Sequence, residues 1–290
     1  MILIWDTYAL RLKKEMSPHN MEDLIVVIPV CENLPGLHRS LDSLRMEWNH
    51  RRFDVLLIDD SPTPKLSAID YSVYPFKTFL LTNKGNAGVT ASLNRALDWI
   101  RLMPNYRLMA RLDAGDVSVN RRIKSQAQFL DEHPDCVLVG GAIEYMSTDG
   151  RSLFTFNPPV GGDQLRRKMH LNNYVGHPAS MMRINAVMAV GGYRAIYPAA
   201  EDYDLFWRLL RAGTIANLPG VILRYEVSTF QVSGMKRRRQ LKSRLLIQLA
   251  NFEFSYLESY LGILITILAF VVPRSCVIRV KAWQRVALSE

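Results

Sequence analysis

Two stretches of this chain place carboxylates where they could hold a cation and move a proton. The first is Met109-Ala110-Arg111-Leu112-Asp113-Ala114-Gly115-Asp116. It closes an apolar run over residues 106–112 that predicts a buried strand, so its acids fall where a strand gives way to a loop. In an open α/β sheet, ligands bind beyond the carboxyl ends of the strands. Asp113 and Asp116 could there grip a divalent cation, Mg2+ or Mn2+, and the cation could grip a diphosphate. The second stretch is Ala200-Glu201-Asp202-Tyr203-Asp204. It opens a helix, and an acid in that place could act as a general base, with Asp202 as the candidate. Aspartate is also common at helix N-caps and in turns, so either stretch alone fits a structural part.

The elements that must position these acids are legible as runs. Mostly apolar runs over 24–30, 53–58, 76–81, 106–112 and 136–140 predict five strands, the first a continuous apolar run of the kind buried on both faces. Helical spacing over 34–48, 88–102 and 120–132 separates most of them. This alternation predicts an α/β fold: a Rossmann-like, mostly parallel sheet with helices on both faces and right-handed crossovers. After Gly141 the pattern changes. Residues 142–156 predict a hairpin turning at Asp149-Gly150. Residues 163–171 and 203–211 predict helices, the second stopped by Gly213. Residues 215–225 predict two short strands.

On such a sheet the strand ends share one edge. The first strand ends at Pro29-Val30-Cys31-Glu32 and the second at Asp59-Asp60. The third leads to Asn83, Gly85, Asn86 and Gly88, and the fourth to Asp113. Carboxylates there can accept hydrogen bonds from a base N–H and from ribose hydroxyls. Glycines permit close backbone approach. The chain carries no Gly-Lys-Ser/Thr phosphate loop in this region, and no Gly-x-Gly-x-x-Gly turn follows the first strand. Those absences disfavour a P-loop enzyme and a nicotinamide dehydrogenase.

Several motifs, taken in order, resemble the family 2 inverting glycosyltransferases. They are Ile25-Val26-Val27-Ile28-Pro29-Val30, Leu57-Ile58-Asp59-Asp60-Ser61, the stretch 83–94, and Ala110-Arg111-Leu112-Asp113-Ala114-Gly115-Asp116. Arg122 and Gln126, His177-Pro178, Gly191-Gly192-Tyr193 and Glu201-Asp202-Tyr203-Asp204-Leu205 continue the series. The resemblance spans about residues 24–225 and is strongest to bacterial enzymes of O-antigen, capsule and other surface-polysaccharide synthesis. It implies a GT-A fold and a nucleotide-diphospho-sugar donor, a UDP-sugar first among them. It implies donor-binding places for Pro29, Glu32, Asp60, Asn86, Gly88, Arg111 and Asp113. Asp113 matches the first acid of the family's DXD motif, and Gly115 stands where the next acid is expected. Asp116 is then the candidate to complete the metal pair. Asp202 matches the catalytic base, while His177 and Glu201 match the acceptor or diphosphate region. Gln231-Val232-Ser233-Gly234-Met235 lacks the Gln-x-x-Arg-Trp of processive synthases, which favours transfer of a single sugar. Two other classes stay open. A nucleotidyltransferase would usually carry a basic phosphate loop, but Cys31-Glu32-Asn33 is acidic. A non-catalytic, GT-A-like membrane-bound scaffold has Gly115 as its one hint.

The formal charge of +9 is concentrated toward the C-terminus and suits an anionic partner. Nucleic acid would explain that charge but not the acids, and no nucleic-acid-binding module is present. Cys31, Cys136 and Cys276 are scattered and show neither metal spacing nor a disulfide framework, which points to a reducing compartment. Residues 1–20 read as an extension without the leader of a signal peptide, and 21–230 as the catalytic domain. Residues 231–290 read as a basic and then apolar helical tail. Its run over 261–272 is shorter than the ~20 residues that a spanning helix needs. Basic residues lie on both sides of it, from Lys236 to Arg244 and at Arg274, Arg279, Lys281 and Arg285. An interfacial or re-entrant helix is expected, with the enzyme peripheral or monotopic at the cytoplasmic membrane face beside a lipid-linked saccharide acceptor. A buried core helix or an oligomer contact is the alternative.

Overall fold

A computed structural model describes residues 22–103, 105–147, 149–227 and 234–271. The expected extension over 1–20, residues 231–233 and the basic residues from Arg274 onward lie outside the described residues. In chain order the elements are β1 (Leu24–Val30), α1 (Leu34–Trp48), β2 (Asp54–Asp59), β3 (Thr78–Thr82), α2 (Val89–Arg101), β4 (Leu108–Arg111), β5 (Val117–Ser118), α3 (Arg122–Glu132) and β6 (Cys136–Met146). They continue with β7 (Ser152–Phe156), α4 (Gly162–Leu171), β8 (Met181–Arg183), α5 (Ile184–Ala189), α6 (Glu201–Ala212), β9 (Thr214–Glu226), α7 (Gly234–Ala250) and α8 (Leu257–Val271).

The strands join in one sheet, ordered β3-β2-β1-β4-β8-β6-β9-β5, with β7 taking over from β8 along β6. β1 to β4 run parallel. β6 and β9 share their direction through one reversed strand, β8. The fold is α/β with a mostly parallel sheet between helices. β1 shows why. Its seven residues carry no charge and are almost wholly buried, and successive side chains of a strand point to opposite faces. Ile25 and Val27 join a core with Leu93, Leu97 and Ile100 of α2 and Leu205, Phe206 and Leu209 of α6. Leu24, Val26 and Ile28 join a second core with Leu37, Leu41 and Leu44 of α1 and Ile123 and Leu130 of α3.

The second half of the sheet departs from the sequence expectation. The fifth strand does not stop at Gly140 but runs on to Met146 beside β9. The two short strands expected over 215–225 are one strand. Its register against β6 steps from Gly141–Leu218 to Ala142–Val221, so Pro219 and Gly220 bulge out as extra residues. β5 and α5 are too short for periodicity to reveal.

Buried polar groups stitch the layers beneath the site. Glu47 of α1 accepts from Ser118 Oγ at 3.2 Å, Arg122 N at 3.0 Å and Ile123 N at 3.3 Å. It thereby caps α3, whose own N-cap residue, Arg121, makes no side-chain cap bond. Arg122 is fully buried; it donates to Arg111 O at 2.7 Å and to Gln126 Oε1 at 2.9 Å. Desolvation lowers its guanidinium to about 10, so it stays charged at neutral pH. Gln126 Nε2 donates in turn to Val139 O at 2.9 Å and Ala179 O at 2.8 Å.

The α7–α8 hairpin packs on α4. Ser259 Oγ lies 3.0 Å from His170 Nδ1, and Thr266 Oγ1 donates to Gln248 Oε1 at 2.8 Å. A Cβ on Gly262 would fall 2.1 Å from His170 O, so only glycine permits this approach.

Glu47→Ala removes the acceptor of three buried donors. It is expected to lower unfolding stability by about 3 kcal/mol, seen as an earlier midpoint in urea. An unmoved midpoint would take Glu47 out of this frame.

Candidate active site

The acid loop is held by α1. Asp116 N donates to Asp113 O at 3.0 Å and closes the turn. Ser40 Oγ accepts from Gly115 N at 3.0 Å and donates to Asp116 O at 2.8 Å. Asn33 serves both elements: its Oδ1 caps α1 at Gly36 N, 3.0 Å away, and its Nδ2 donates to Ala114 O at 2.8 Å. Gly115 has φ +116°, a conformation that L side chains resist. That gives a physical reason for glycine where an acid was expected.

Arg111 ties this loop to the rest of the site. Its guanidinium is fully buried and donates to Val27 O at 2.8 Å and to Asp113 Oδ1 at 2.6 Å. Its Nε faces His177 Nε2 at 3.4 Å, and the Tyr193 hydroxyl lies 2.9 Å from the same nitrogen. Desolvation and the Arg111 charge push the His177 imidazole well below its usual value. In a neutral ring Nε2 can serve as the acceptor, and the Tyr193 hydroxyl is the nearer donor. Tyr193 is fixed by Asn94 of α2, which accepts from Tyr193 N at 2.9 Å and donates to Tyr193 O at 2.8 Å.

The second acidic stretch opens α6. Asp202 Oδ2 accepts from Asn173 Nδ2 at 2.9 Å, and its Oδ1 accepts from Tyr203 N at 2.7 Å. Burial raises its carboxyl to about 7, with the neighbouring Glu201 charge adding to the rise and the hydrogen bonds opposing it. The group still meets solvent at the mouth of a cavity of about 200 Å³, lined also by Asn173, Tyr203, Gln240, Leu241 and Arg244. Glu201 is buried, and desolvation raises its carboxyl against the pull of Arg111. Asp204 instead pairs with Arg194 and Arg208, and Arg208 donates to Gly192 O at 2.7 Å. Its part is structural.

The expected donor residues lie along the carboxyl edge of β1, β2 and β4 and the loop before α2. Asp60 is buried and accepts from Asn83 Nδ2 (2.8 Å), Ala87 N (2.8 Å) and Gly88 N (2.9 Å). Much of its hydrogen-bonding capacity therefore shapes the loop that carries Asn86. Glu32 and Asn86 are exposed, Pro29 is partly so, and Glu32 N donates to Ser61 Oγ at 3.1 Å.

Asp113 and Asp116 share a cavity of about 360 Å³ with Asn33, Arg39, Tyr225 and Glu226. Asp116 is 4% exposed, and its Oδ2 has no hydrogen-bond partner. Burial and the nearby Asp113 charge push its carboxyl well above the ordinary range. A buried, unpartnered carboxylate oxygen beside a second carboxylate fits a divalent cation. Among the described residues no group of three or more His, Cys, Asp or Glu side chains is placed to hold a metal.

The glycosyl transferase family 2 model matches residues 25–191, more than half of the chain, from β1 through the acid loop to Gly191. The chain belongs to glycosyl transferase family 2. This glycosyltransferase is 22% identical over 249 residues to the amylovoran biosynthesis glycosyltransferase AmsE of Erwinia amylovora, covering 83% of this chain and 91% of the relative. Its fold is similar to that of S. aureus TarS 1–349 in complex with UDP-GlcNAc, with a TM-score of 0.59 at 16% identity. That likeness covers 83% of this chain and 69% of TarS 1–349, but only 41% of the longer TarS structure. The mannosyltransferase PcManGT from Pyrobaculum calidifontis, in complex with GDP-Man and Mn2+, gives a TM-score of 0.58 at 14% identity. There the likeness covers 91% of this chain and 75% of PcManGT. These neighbours are GT-A glycosyltransferases, and the glycosyltransferase described here shares that fold.

Sequence reasoning missed Asn33, Ser40, Asn173 and Arg244. Asn33 carried a signal, since it precedes Leu34-Pro35 at a helix start. Asn173 and Arg244 carried none, because each reaches the Asp202 cavity from a separate segment.

Gly115→Asp would supply the missing motif acid at a positive φ. It is expected to cost about 1–2 kcal/mol of stability, read from thermal melts of parent and variant. A variant as stable as the parent would show that the turn tolerates a side chain.

Proposed function

We propose that this glycosyltransferase transfers one sugar, with inversion, from a nucleotide-diphospho-sugar to a hydroxyl of a lipid-linked saccharide in bacterial surface-polysaccharide or O-antigen synthesis. A UDP-sugar is the first donor to test. One observation carries the reading: an acid with a pKa of about 7, Asp202, stands in an open cavity beside Glu201. Arg111 and Asp113, on the sheet edge, act electrostatically on that same Glu201. An ionised Asp202 takes the proton of the acceptor hydroxyl. The freed oxygen bonds the anomeric carbon as the bond from that carbon to the diphosphate oxygen breaks. The electron pair leaves with the nucleoside diphosphate, and one in-line displacement inverts the centre.

On the donor side, Pro29, Glu32 and the Asp60-shaped loop with Asn86 and Gly88 would receive base and ribose, while Arg111 and Asp113 would face the diphosphate. Asp113 and Asp116 would hold a Mg2+ or Mn2+ ion, which offsets charge on the leaving diphosphate. The nucleotide sugars present in the TarS and PcManGT structures support this donor class. His177 and Glu201 would order the acceptor side. Residues 21–230 would form the catalytic unit and 231–290 its tail, placed at the cytoplasmic membrane face as a peripheral or monotopic protein. Among the described residues no helix is long and apolar enough to cross a membrane. A catalytically silent scaffold draws on Gly115, but the unpartnered Asp116 oxygen favours a working site.

Asp202→Asn keeps the shape and loses the base. It is expected to reduce kcat by roughly 10²- to 10⁴-fold while nucleotide affinity holds; near-normal turnover would sink the assignment. Because only the ionised acid accepts a proton, kcat in the parent is expected to fall as pH drops through about 7. A profile flat across that midpoint would exclude Asp202 as base. Asp113→Ala is expected to weaken donor binding by roughly tenfold, measured by calorimetry, and unchanged affinity would remove it from the site.

A further inference from the structure

α8 is built inside out. Its buried residues are Ser259, Gly262 and Thr266, small or polar and spaced i, i+3, i+7. On the opposite side Leu257, Leu261, Leu264, Leu268 and Val271 recur at i, i+4, i+7, i+11 and i+14. They are 67%, 40%, 52%, 51% and 80% exposed. A helix on a water-facing surface turns its apolar stripe inward. Here the reverse orientation is fixed by the Ser259–His170 and Thr266–Gln248 hydrogen bonds and by the backbone approach at Gly262. Scattered exposed aliphatics are ordinary, whereas a continuous stripe marks a surface meant to be covered.

Charge identifies the cover. Arg237 Nη2 donates to Ala269 O at 2.8 Å, so the first half of α7 lies along the last turn of α8. Arg238, Arg239 and Lys242 on that half are exposed. No acid occurs between residues 227 and 252, and Arg274, Arg279, Lys281 and Arg285 follow in the sequence. At the other end of the helix, Glu253 and Glu258 face Arg166 and Arg167 of α4. A second copy paired through this same face would set the same cations against one another. Anionic headgroups meet them directly, each cation contributing about 1 kcal/mol near such a surface. The 15 described residues of α8 extend about 22 Å, against a hydrocarbon core of ~30 Å, and among the described residues no helix is long and apolar enough to cross a membrane.

We propose that the outward stripe of α8 seats in the surface of a bilayer containing anionic lipid, with the basic half of α7 on the headgroups. This deepens the peripheral placement proposed above and does not depend on the chemistry at Asp202. α7 also lends Gln240, Leu241 and Arg244 to the Asp202 cavity, so docking would present a lipid-carried acceptor beside the base.

The test is flotation of the full chain with vesicles of phosphatidylcholine, alone or mixed with phosphatidylglycerol. The parent is expected to float with the mixed vesicles, less with phosphatidylcholine alone, and less in high salt. Leu264→Glu/Leu268→Glu is expected to cut the partition coefficient roughly tenfold or more, and Arg238→Ala/Arg239→Ala to weaken binding to the mixed vesicles only. Unchanged melting temperatures would show that both variants fold. A parent that stays with neither vesicle, or a leucine variant that floats like the parent, overturns the proposal. So does a parent that is dimeric by light scattering, becomes monomeric in the leucine variant and ignores vesicles, since a second copy would then be the cover. A parent that binds vesicles but transfers no sugar from any nucleotide-sugar would count against the catalytic reading alone.

Discussion

The site depends on burying a guanidinium. Arg111 has no solvent contact, and taking a charge out of water costs several kcal/mol unless partners repay it. The Val27 carbonyl and the Asp113 carboxylate supply that return. A second buried guanidinium, Arg122, holds the Arg111 carbonyl from below and is matched by Glu47 and Asp116. The acids of the sheet edge and the two arginines are therefore one electrostatic unit. Its balance is incomplete at Asp116, which keeps an unpartnered oxygen next to Asp113. A cation would complete that balance at the donor edge.

From this unit the two sides of the site diverge in character. Along the edge of β1 and β2, carboxylates are spent on architecture: Asp59 and Asp60 between them order the loops at 61–66 and 83–88. At the start of α6, Asp202 is left partly solvated, crowded by Glu201 and steadied by a single side-chain amide. Similar side chains thus take different parts because one environment saturates them with amide donors and the other withholds those donors.

Much of this was legible in the sequence where physics is local. The parallel half of the sheet showed as mostly apolar runs, and the acids fell at their ends because parallel strands finish on one edge. The later half was harder. Pro219-Gly220 breaks the apolar run and made one long strand look like two, although its partner bridges the gap. Asn173 and Arg244 could not be found, since neither belongs to a motif and tertiary packing alone brings them to Asp202. The apolar run of the tail was evident, but its outward direction was not. That direction is set by Ser259, Gly262 and Thr266 meeting His170 and Gln248, residues 14 to 92 positions away in the chain.

The amide of Asn94 joins two parts of the site. α2 starts at the loop that Asp60 shapes, and within its second turn Asn94 grips both backbone groups of Tyr193. Tyr193 touches the imidazole that faces Arg111. The first two turns of the helix therefore join the Asp60-shaped loop to the residue that touches the His177 ring. A tilt of those turns would carry the loop and Tyr193 together, and with Tyr193 the hydroxyl that meets the His177 imidazole.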